Sequence, residues 1–314
     1  MDLRERRKNE IFEMMRHDGL KELHGITPNV LATTTSANSF IYCVDYDGGK
    51  VALKHKMRAI EDEAQSSNEK FGKIRFYFQR EMSIWKALQD DGGHPHITPL
   101  IGFVDPQENN IFPGLVSPWY DHGSVRNYMN KRRQADDRVR TLEKLKILID
   151  VLRGLENPAV HSKGLVHRDV KGDNILIDSR KNARLTDFGN SKDIHADNKI
   201  ISSTQRSYDW TPPEYIQDEE AYHNPEPSAD VWSVGCTYVE LLREMDPCSP
   251  VMWPPELILA GKLPAQSRYE GDNPIPHEHW KIIKTCLMLN PAERISVTML
   301  RDELLRYVPL DMWE

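Results

Sequence analysis

Val166-His167-Arg168-Asp169-Val170-Lys171-Gly172-Asp173-Asn174-Ile175-Leu176, followed by Leu185-Thr186-Asp187-Phe188-Gly189, is the part of the chain whose reading decides the rest. Short apolar runs alternate there with Gly, Asp and Asn, the signature of loops and small strands. Transfer of a phosphoryl group needs a carboxylate that orients a hydroxyl and takes its proton, oxygen ligands for Mg²⁺, and a cation near the moving phosphate. Asp169 offers the first, Asn174 and Asp187 the second, and Lys171 the third. Any one of these aspartates alone reads equally well as a turn residue or a helix cap. The joint spacing carries the chemistry.

Working outward toward the N-terminus, the pattern is strand-rich with one clear helix. Phe40–Val44 and Val51–Leu53 are short β-branched and aromatic runs on either side of the turn signal Asp45-Tyr46-Asp47-Gly48-Gly49-Lys50. Ile97–Val104 and Phe112–Val116 read as two further strands. Between the pairs, residues 71–89 read as a helix. Phe78, Glu81, Met82, Trp85 and Leu88 recur on one apolar face of it, so Glu81 lies among apolar neighbours. A carboxylate there is costly without a cation, and Lys54 on the preceding strand is the candidate partner. The alternative is that Glu81 stands at the edge of the stripe and points to solvent. Residues 1–25, with Leu3, Ile11, Phe12, Met15 and Leu20 set among charges, read as an amphipathic helical extension.

Toward the C-terminus the periodicity is helical over 141–156, 228–243, 277–288 and 296–306. A small β-rich part followed by a larger helical part is an α+β arrangement. The 314 residues carry a formal net charge of −7, with 39% hydrophobic and 28% charged residues. These values give no general affinity for nucleic acid and argue against wholesale disorder. Cys43, Cys236, Cys248 and Cys286 show no paired spacing, and no run of about 18 apolar residues exists to span a membrane. The expectation is a cytoplasmic protein, with nuclear entry left open.

These segments together resemble the eukaryotic protein-kinase family over residues 26–309, and Lys171, two residues after Asp169, is similar to its serine/threonine branch. The Gly172-Asp173 pair and His94-Pro95-His96-Ile97 weakly suggest the tyrosine-kinase-like or mitogen-cascade branches. The resemblance implies a two-lobed fold: an N-lobe over 26–116 with one key helix, a hinge at 117–123 and a mainly helical C-lobe over 124–314. It implies ATP and Mg²⁺ as cofactors and protein substrates as partners. By it Asp169 is the catalytic base, with Lys171, Lys54 and Glu81 completing the catalytic set and Asn174 and Asp187 binding the metal. Nucleotide-binding positions would be Lys54, Ala52, Leu176, Ser117 at the rear of the adenine pocket, the Pro118 carbonyl and the Tyr120 N–H. Pro213-Glu214 and Arg294 would form a structural ion pair, and Asp230 would brace the catalytic loop.

Two departures qualify this reading. The phosphate-covering loop of the family carries three glycines, and here the positions hold Thr34, Ser36 and Ser39. Small hydroxyl side chains that still admit phosphate, a pseudokinase scaffold with weakened nucleotide binding, and a surface hairpin without a ligand all remain open. Asn157-Pro158 interrupts the helix before His161, where a local bulge is expected. Arg168 beside Asp169 implies control by phosphorylation of the segment 187–214, on Ser202, Ser203 or Thr204, by an upstream kinase or in trans. Ser207 would contact the catalytic loop, and His94-Pro95-His96 reads as a surface turn with no metal role.

Overall fold

The structure is a computed structural model that describes residues 2–26, 32–35, 39–105, 110–156, 159–196, 207–244 and 275–309. Ser36, Asn157, Pro158, Ser202, Ser203 and Thr204 lie outside the described residues. The chain divides into two compact units, Met1–Gly93 with Thr98–Trp119, and His94–Ile97 with Tyr120–Glu314. The division falls between Trp119 and Tyr120, inside the stretch 117–123.

The first unit is built on a hairpin. Strands β3 (Ser39–Tyr46) and β4 (Gly49–Lys56) pair antiparallel through eight residues each. The turn uses Asp47 at φ 49° and Gly48 at φ 76°, the left-handed pair that a tight hairpin needs. Strands β1 (Glu22–Leu23), β2 (Thr34–Thr35), β5 (Gly102–Val104) and β6 (Gly114–Pro118) complete a six-stranded sheet in the order β1-β5-β6-β4-β3-β2, with β1 parallel to β5. Alternation along β4 buries Val51, Leu53 and His55 on one side, so Ala52, Lys54 and Lys56 share the other. Of the expected strand Ile97–Val104 only the last three residues pair in this sheet. Pro99 interrupts the run, and Ile97 bridges to Leu185 in the other unit's own body.

Helices α1 (Leu3–His17), α2 (Arg58–Ser66) and α3 (Asn68–Ala87) belong to this unit. The N-terminal helix buries Ile11, Phe12 and Met15, and the Phe12 ring meets Phe103 edge-on at 5.4 Å. Arg7 ties it to the next two helices, donating to Ala64 O at 2.8 Å and Asn68 Oδ1 at 2.6 Å. The expected face of α3 is observed: Phe78, Glu81, Met82, Trp85 and Leu88 are all buried.

The second unit is mainly helical: α4 (Val125–Gln134), α5 (Thr141–Leu155), α6 (Pro213–Gln217), α7 (Glu219–His223), α8 (Pro227–Arg243), α9 (His277–Cys286) and α10 (Val297–Leu305). Ser124 caps α4, its Oγ accepting from Asn127 N–H at 3.2 Å. Two small antiparallel pairs lie between α5 and α6: β7 (Leu165–Val166) with β10 (Lys192–Asp193), and β8 (Ile175–Ile177) with β9 (Ala183–Leu185). The core is the apolar length of α5 and α8, with Leu148, Ile149, Leu152, Trp232 and Tyr238 fully buried. The turn expected at His94-Pro95-His96 is present with Pro95 exposed, and only His96 departs from a surface setting. It is buried, its Nδ1 lies 3.0 Å from Ala183 O, and burial lowers its pKa, so it packs as a neutral core histidine.

Candidate active site

Helix α8 explains the shape of the segment 166–176. Between Ala229 and Leu242 it is mainly apolar but for Asp230, Ser233, Thr237 and Glu240, which fall at i, i+3, i+7 and i+10 and so form one polar stripe. Every member of the stripe bonds backbone. Asp230 Oδ2 accepts from His167 N–H at 2.8 Å and Oδ1 from Arg168 N–H at 2.7 Å. Ser233 Oγ donates to Trp210 O at 2.9 Å, Thr237 Oγ1 donates to Val170 O at 3.2 Å, and Glu240 Oε2 accepts from Gly172 N–H at 3.0 Å. Burial pushes the Asp230 carboxyl up. The hydrogen bond from His161, the neighbouring imidazoles and the Arg168 N–H outweigh burial and hold its pKa below the usual aspartate value. Burial lifts Glu240 to about 7 against the pull of Gly172 N–H and Arg126. Gly172 is required for this approach, because a Cβ there would stand 2.4 Å from Glu240 Oε1.

The loop so held presents Asp169. Lys171 Nζ donates to both of its carboxylate oxygens, at 3.0 and 2.9 Å, and to Ser207 Oγ at 2.6 Å. Asn174 Nδ2 donates to Asp169 O and Oδ2, both at 2.9 Å, and Asn190 Nδ2 reaches Oδ2 at 3.3 Å. Since its N–H groups face Asp169, the Asn174 side chain has Oδ1 left over as an acceptor. The β8–β9 hairpin brings Asp187 to the same end, with Thr186 N–H donating to Asn174 O at 3.0 Å. Asp187 takes a left-handed backbone at φ 62°, as does Arg168 at φ 68°, conformations uncommon for side-chain-bearing residues and concentrated at functional sites. His167 Nδ1 accepts from Asp169 N–H at 3.3 Å, which leaves Nε2 to donate to Thr186 O at 3.2 Å. The Phe188 ring, fully buried, lies 5.2 Å from the imidazole. Leu176, in the middle of β8, is half-buried and bridges to Ser124.

Arg168 stacks its guanidinium over Tyr222, 3.8 Å from the ring centre, and its Nε and Nη2 are buried with no hydrogen-bond acceptor among the described residues. Glu214 and Arg294 form the expected bidentate pair at 2.7 and 2.6 Å, and Arg294 also donates to Ser228 O and Met288 O.

In the first unit, Lys54 Nζ donates to Glu81 Oε1 at 2.6 Å, so the carboxylate on the apolar face of α3 has the partner expected for it. A second lysine that sequence reasoning missed, Lys56, reaches Oε2 at 3.3 Å. Its signal was available: residues two apart on a strand share a face. Ser39, Lys54, Lys56, Phe78, Glu81, Pro113 and Leu115 line one small recess. Ser39 pairs across the hairpin with Lys56 and is buried, whereas Thr34 is exposed on β2. Ala52 pairs with Ser117 on β6, and Pro118 pairs with Val51. Tyr120 begins the second unit, and its carbonyl accepts from Gly123 N–H at 2.9 Å. No group of three or more His, Cys, Asp or Glu side chains among the described residues is arranged to hold a metal. Asn174 and Asp187 are nevertheless a hard-oxygen pair of the kind that suffices for Mg²⁺, which keeps waters and phosphate oxygens for its other positions.

Comparison with known proteins agrees with this geometry. The model of the protein kinase domain matches residues 37–305. A mitogen-activated protein kinase kinase kinase 3 of Arabidopsis thaliana is 29% identical over 266 residues, 82% of this chain and 37% of that protein. A protein of the same name from Mus musculus is 31% identical over 209 residues, 65% of this chain and 30% of its own length. A probable receptor-like protein kinase of Arabidopsis thaliana is 31% identical over 211 residues, 64% of this chain and 22% of its own length. The chain thus spans about a quarter to just over a third of these relatives. With a β-sheet unit, a helical unit and a family model covering most of its length, this chain belongs to the protein kinase domain family.

Proposed function

We propose that the protein transfers the γ-phosphoryl group of ATP to serine and threonine hydroxyls of other proteins. The observation that carries this reading is the arrangement at Asp169, whose carboxylate is fixed by Lys171 and Asn174 on a loop pinned by α8. In the proposed reaction the substrate hydroxyl donates its hydrogen bond to Asp169 and its oxygen attacks the γ-phosphorus. The bond from that phosphorus to the β–γ bridging oxygen breaks, ADP leaves, and Asp169 takes the hydroxyl proton. Lys171, held between Asp169 and Ser207, supplies positive charge beside the transferring group. Lys54, oriented by Glu81, would contact the nucleotide phosphates. Asn174 and Asp187 would hold Mg²⁺, which neutralises phosphate charge when bound.

Adenine would be held by the Pro118 carbonyl and the Tyr120 N–H, with Ala52, Ser117 and Leu176 around it. Thr34, Ser36 and Ser39 would stand at the phosphates in place of glycines. The N-lobe, hinge and C-lobe would follow the bounds 26–116, 117–123 and 124–314, with 1–25 preceding them. A cytoplasmic location, with nuclear entry left open, is part of the proposal; separately, among the described residues no helix is long and apolar enough to cross a membrane. Control by phosphorylation of Ser202, Ser203 or Thr204 is part of the proposal. It is supported by the two buried nitrogens of Arg168, Nε and Nη2, that have no acceptor among the described residues and suit a phosphate oxygen.

Phosphosite mapping of the purified chain after incubation with Mg·ATP tests the acceptor class. Phosphoserine or phosphothreonine within 202–204 supports both parts of the reading. Phosphotyrosine would overturn the acceptor class. Absence of phosphate on this chain and on added protein substrates would favour a scaffold role instead.

A further inference from the structure

Helix α1 lies ahead of residues 37–305, the stretch matched to the protein kinase domain, yet it grips α3, the helix that carries Glu81. Arg7 is the firmest point of this grip. Only 4% of it is exposed, and its guanidinium sits where α2 gives way to α3. Nη1 donates to Ala64 O at 2.8 Å, a carbonyl in the last turn of α2. Carbonyls of a last turn have no partner inside their own helix, so Arg7 brings a donor that α2 cannot. Nη2 donates at 2.6 Å to Oδ1 of Asn68, the first residue of α3. One turn further along α3, the centre of the Phe71 ring lies 4.8 Å from the guanidinium carbon.

Two further contacts follow in the same order along both helices. Glu10 pairs with Arg75, a half-exposed ion pair of little weight by itself. Lys86, near the end of α3, donates to the carbonyl of Asp18, just past the end of α1. Helix α1 is also fastened to the sheet. The Phe12 ring meets Phe103 of β5 edge-on, and Lys21 O accepts from Phe103 N–H at 2.9 Å as the chain leaves α1 and enters β1. That sheet carries Lys54 on β4. Within the first unit, α1 therefore ties the helix that holds Glu81 to the sheet that holds Lys54.

Resting on the proposed transfer reaction, we infer that Arg7 is a positioning residue for it. Arg7 fixes the start of α3 against α1 and the end of α2, and the regular helix carries that constraint along to Glu81. Glu81 thereby stays at Lys54 while the same lysine meets the nucleotide phosphates. Without Arg7, two acceptors at the α2–α3 junction lose a charged donor and α3 is freer to shift. The fraction of molecules with the Lys54–Glu81 pair in place then falls, and a reaction that needs the pair slows with that fraction.

The test uses the full chain with Arg7→Met, Arg7→Lys and, at an exposed neighbour, Arg6→Met; the Arg7 variants are also made in a Glu81→Gln background. Initial rates at varied Mg·ATP are measured beside hydrogen exchange of the α3 amides. In Arg7→Met, kcat/KM for Mg·ATP should fall about tenfold and the α3 amides should exchange about tenfold faster, as expected for loss of charged hydrogen bonds in a shielded place. Arg6→Met should match the wild type. Arg7→Lys keeps the charge but not the fork that meets two acceptors, so its rate should fall only about threefold, and it serves in both backgrounds if the methionine variant does not fold. In the Glu81→Gln background Arg7→Met should lower the rate by less than about twofold, because the group it positions is already gone. Equal fold losses in the two backgrounds would leave Arg7 as a support of the fold alone and overturn the inference, as would wild-type rates or wild-type α3 exchange in Arg7→Met. A wild-type chain without transfer activity would bring down the proposed function instead, and α3 exchange, which needs no turnover, tells the two failures apart.

Discussion

The two units hold their central carboxylates by different means. Asp169 sits on a loop whose backbone is fastened by the polar stripe of α8, through Asp230, Thr237 and Glu240, before any side chain of the site is considered. Glu81 sits on a regular helix and is held by side chains, among them the ammonium groups of Lys54 and Lys56. A backbone-fastened loop needs specific residues at specific places, because each brace meets a particular N–H or C=O. A side-chain cluster needs only charges of the right sign within reach. The segment 166–176 carries the residues that the family resemblance leads one to expect, while the positions proposed for the phosphate-covering glycines hold Thr34, Ser36 and Ser39.

The largest effect on stability that would sharpen this comparison comes from Asp230→Ala. It strips the His167 and Arg168 N–H groups and His161 of their acceptor in a fully buried place, and should cost about 3–5 kcal/mol in the unfolding free energy measured by denaturant titration. A loss below about 1 kcal/mol would show that the loop holds its shape without the brace.

Next comes a pH effect, carried by one buried glutamate in each unit. Glu61 and Glu240 both have folded pKa values raised from 4.5 to about 7. Below the unfolded value both states are protonated and neither group lowers stability. As pH rises from about 4.5 through 7 the unfolded chain loses these protons first, so stability falls and the full cost stands above pH 7. Each group accounts for up to about 3 kcal/mol, and each should have its part of the decline removed by Glu61→Gln or Glu240→Gln. Asp230, with a depressed pKa, acts in the opposite sense: its contribution is present above its unfolded value and is lost as pH falls through the folded one. Denaturant unfolding of wild type and variants between pH 5 and 8 separates them. Equal slopes in wild type and both variants would contradict the assignment.

A smaller effect is expected for Gly172→Ala. The added Cβ collides with the Glu240 carboxylate, so either that side chain gives up Gly172 N–H or the loop shifts, and overpacking of this kind costs about 1–3 kcal/mol. Phosphoryl transfer should fall with it, as the Glu240 brace on the loop that carries Asp169 is lost or displaced. The matching change at Gly48, where φ is 76° and nothing lies within 4 Å of the missing Cβ, should lower stability through backbone strain alone and leave transfer intact.

Much of this was legible in the sequence, for reasons that differ by place. The helices near 141–156, 228–243, 277–288 and 296–306 carry strong apolar periodicity and end within two or three residues of the observed bounds. The β3–β4 hairpin was marked by its turn residues, although both strands run longer than their apolar cores suggest. Helix α2 was missed because its sequence, RAIEDEAQS, is mostly polar and buries a glutamate where an apolar residue would have drawn notice. Helix α4 was missed for its basic VRNYMNKRRQ composition, yet Ser124 before it and the Lys and Arg of its last turn were valid end signals. The polar stripe on α8 was read only at Asp230. Ser233, Thr237 and Glu240 gave the same signal, at helical spacing in an apolar run. Contacts between distant segments, such as Glu61 with Ile111 and Phe112, left no mark in either segment alone.

The central claim is that the fastened carboxylate at Asp169 performs transfer, and the most direct measurement is the initial rate of γ-phosphoryl transfer from Mg·ATP to a serine- and threonine-bearing protein by the wild type and by Asp169→Asn. The account predicts a rate lower by about 10²–10⁴ in the variant, with its fold and Mg·ATP binding retained. Equal rates in the two proteins, or no transfer by the wild type, would contradict it.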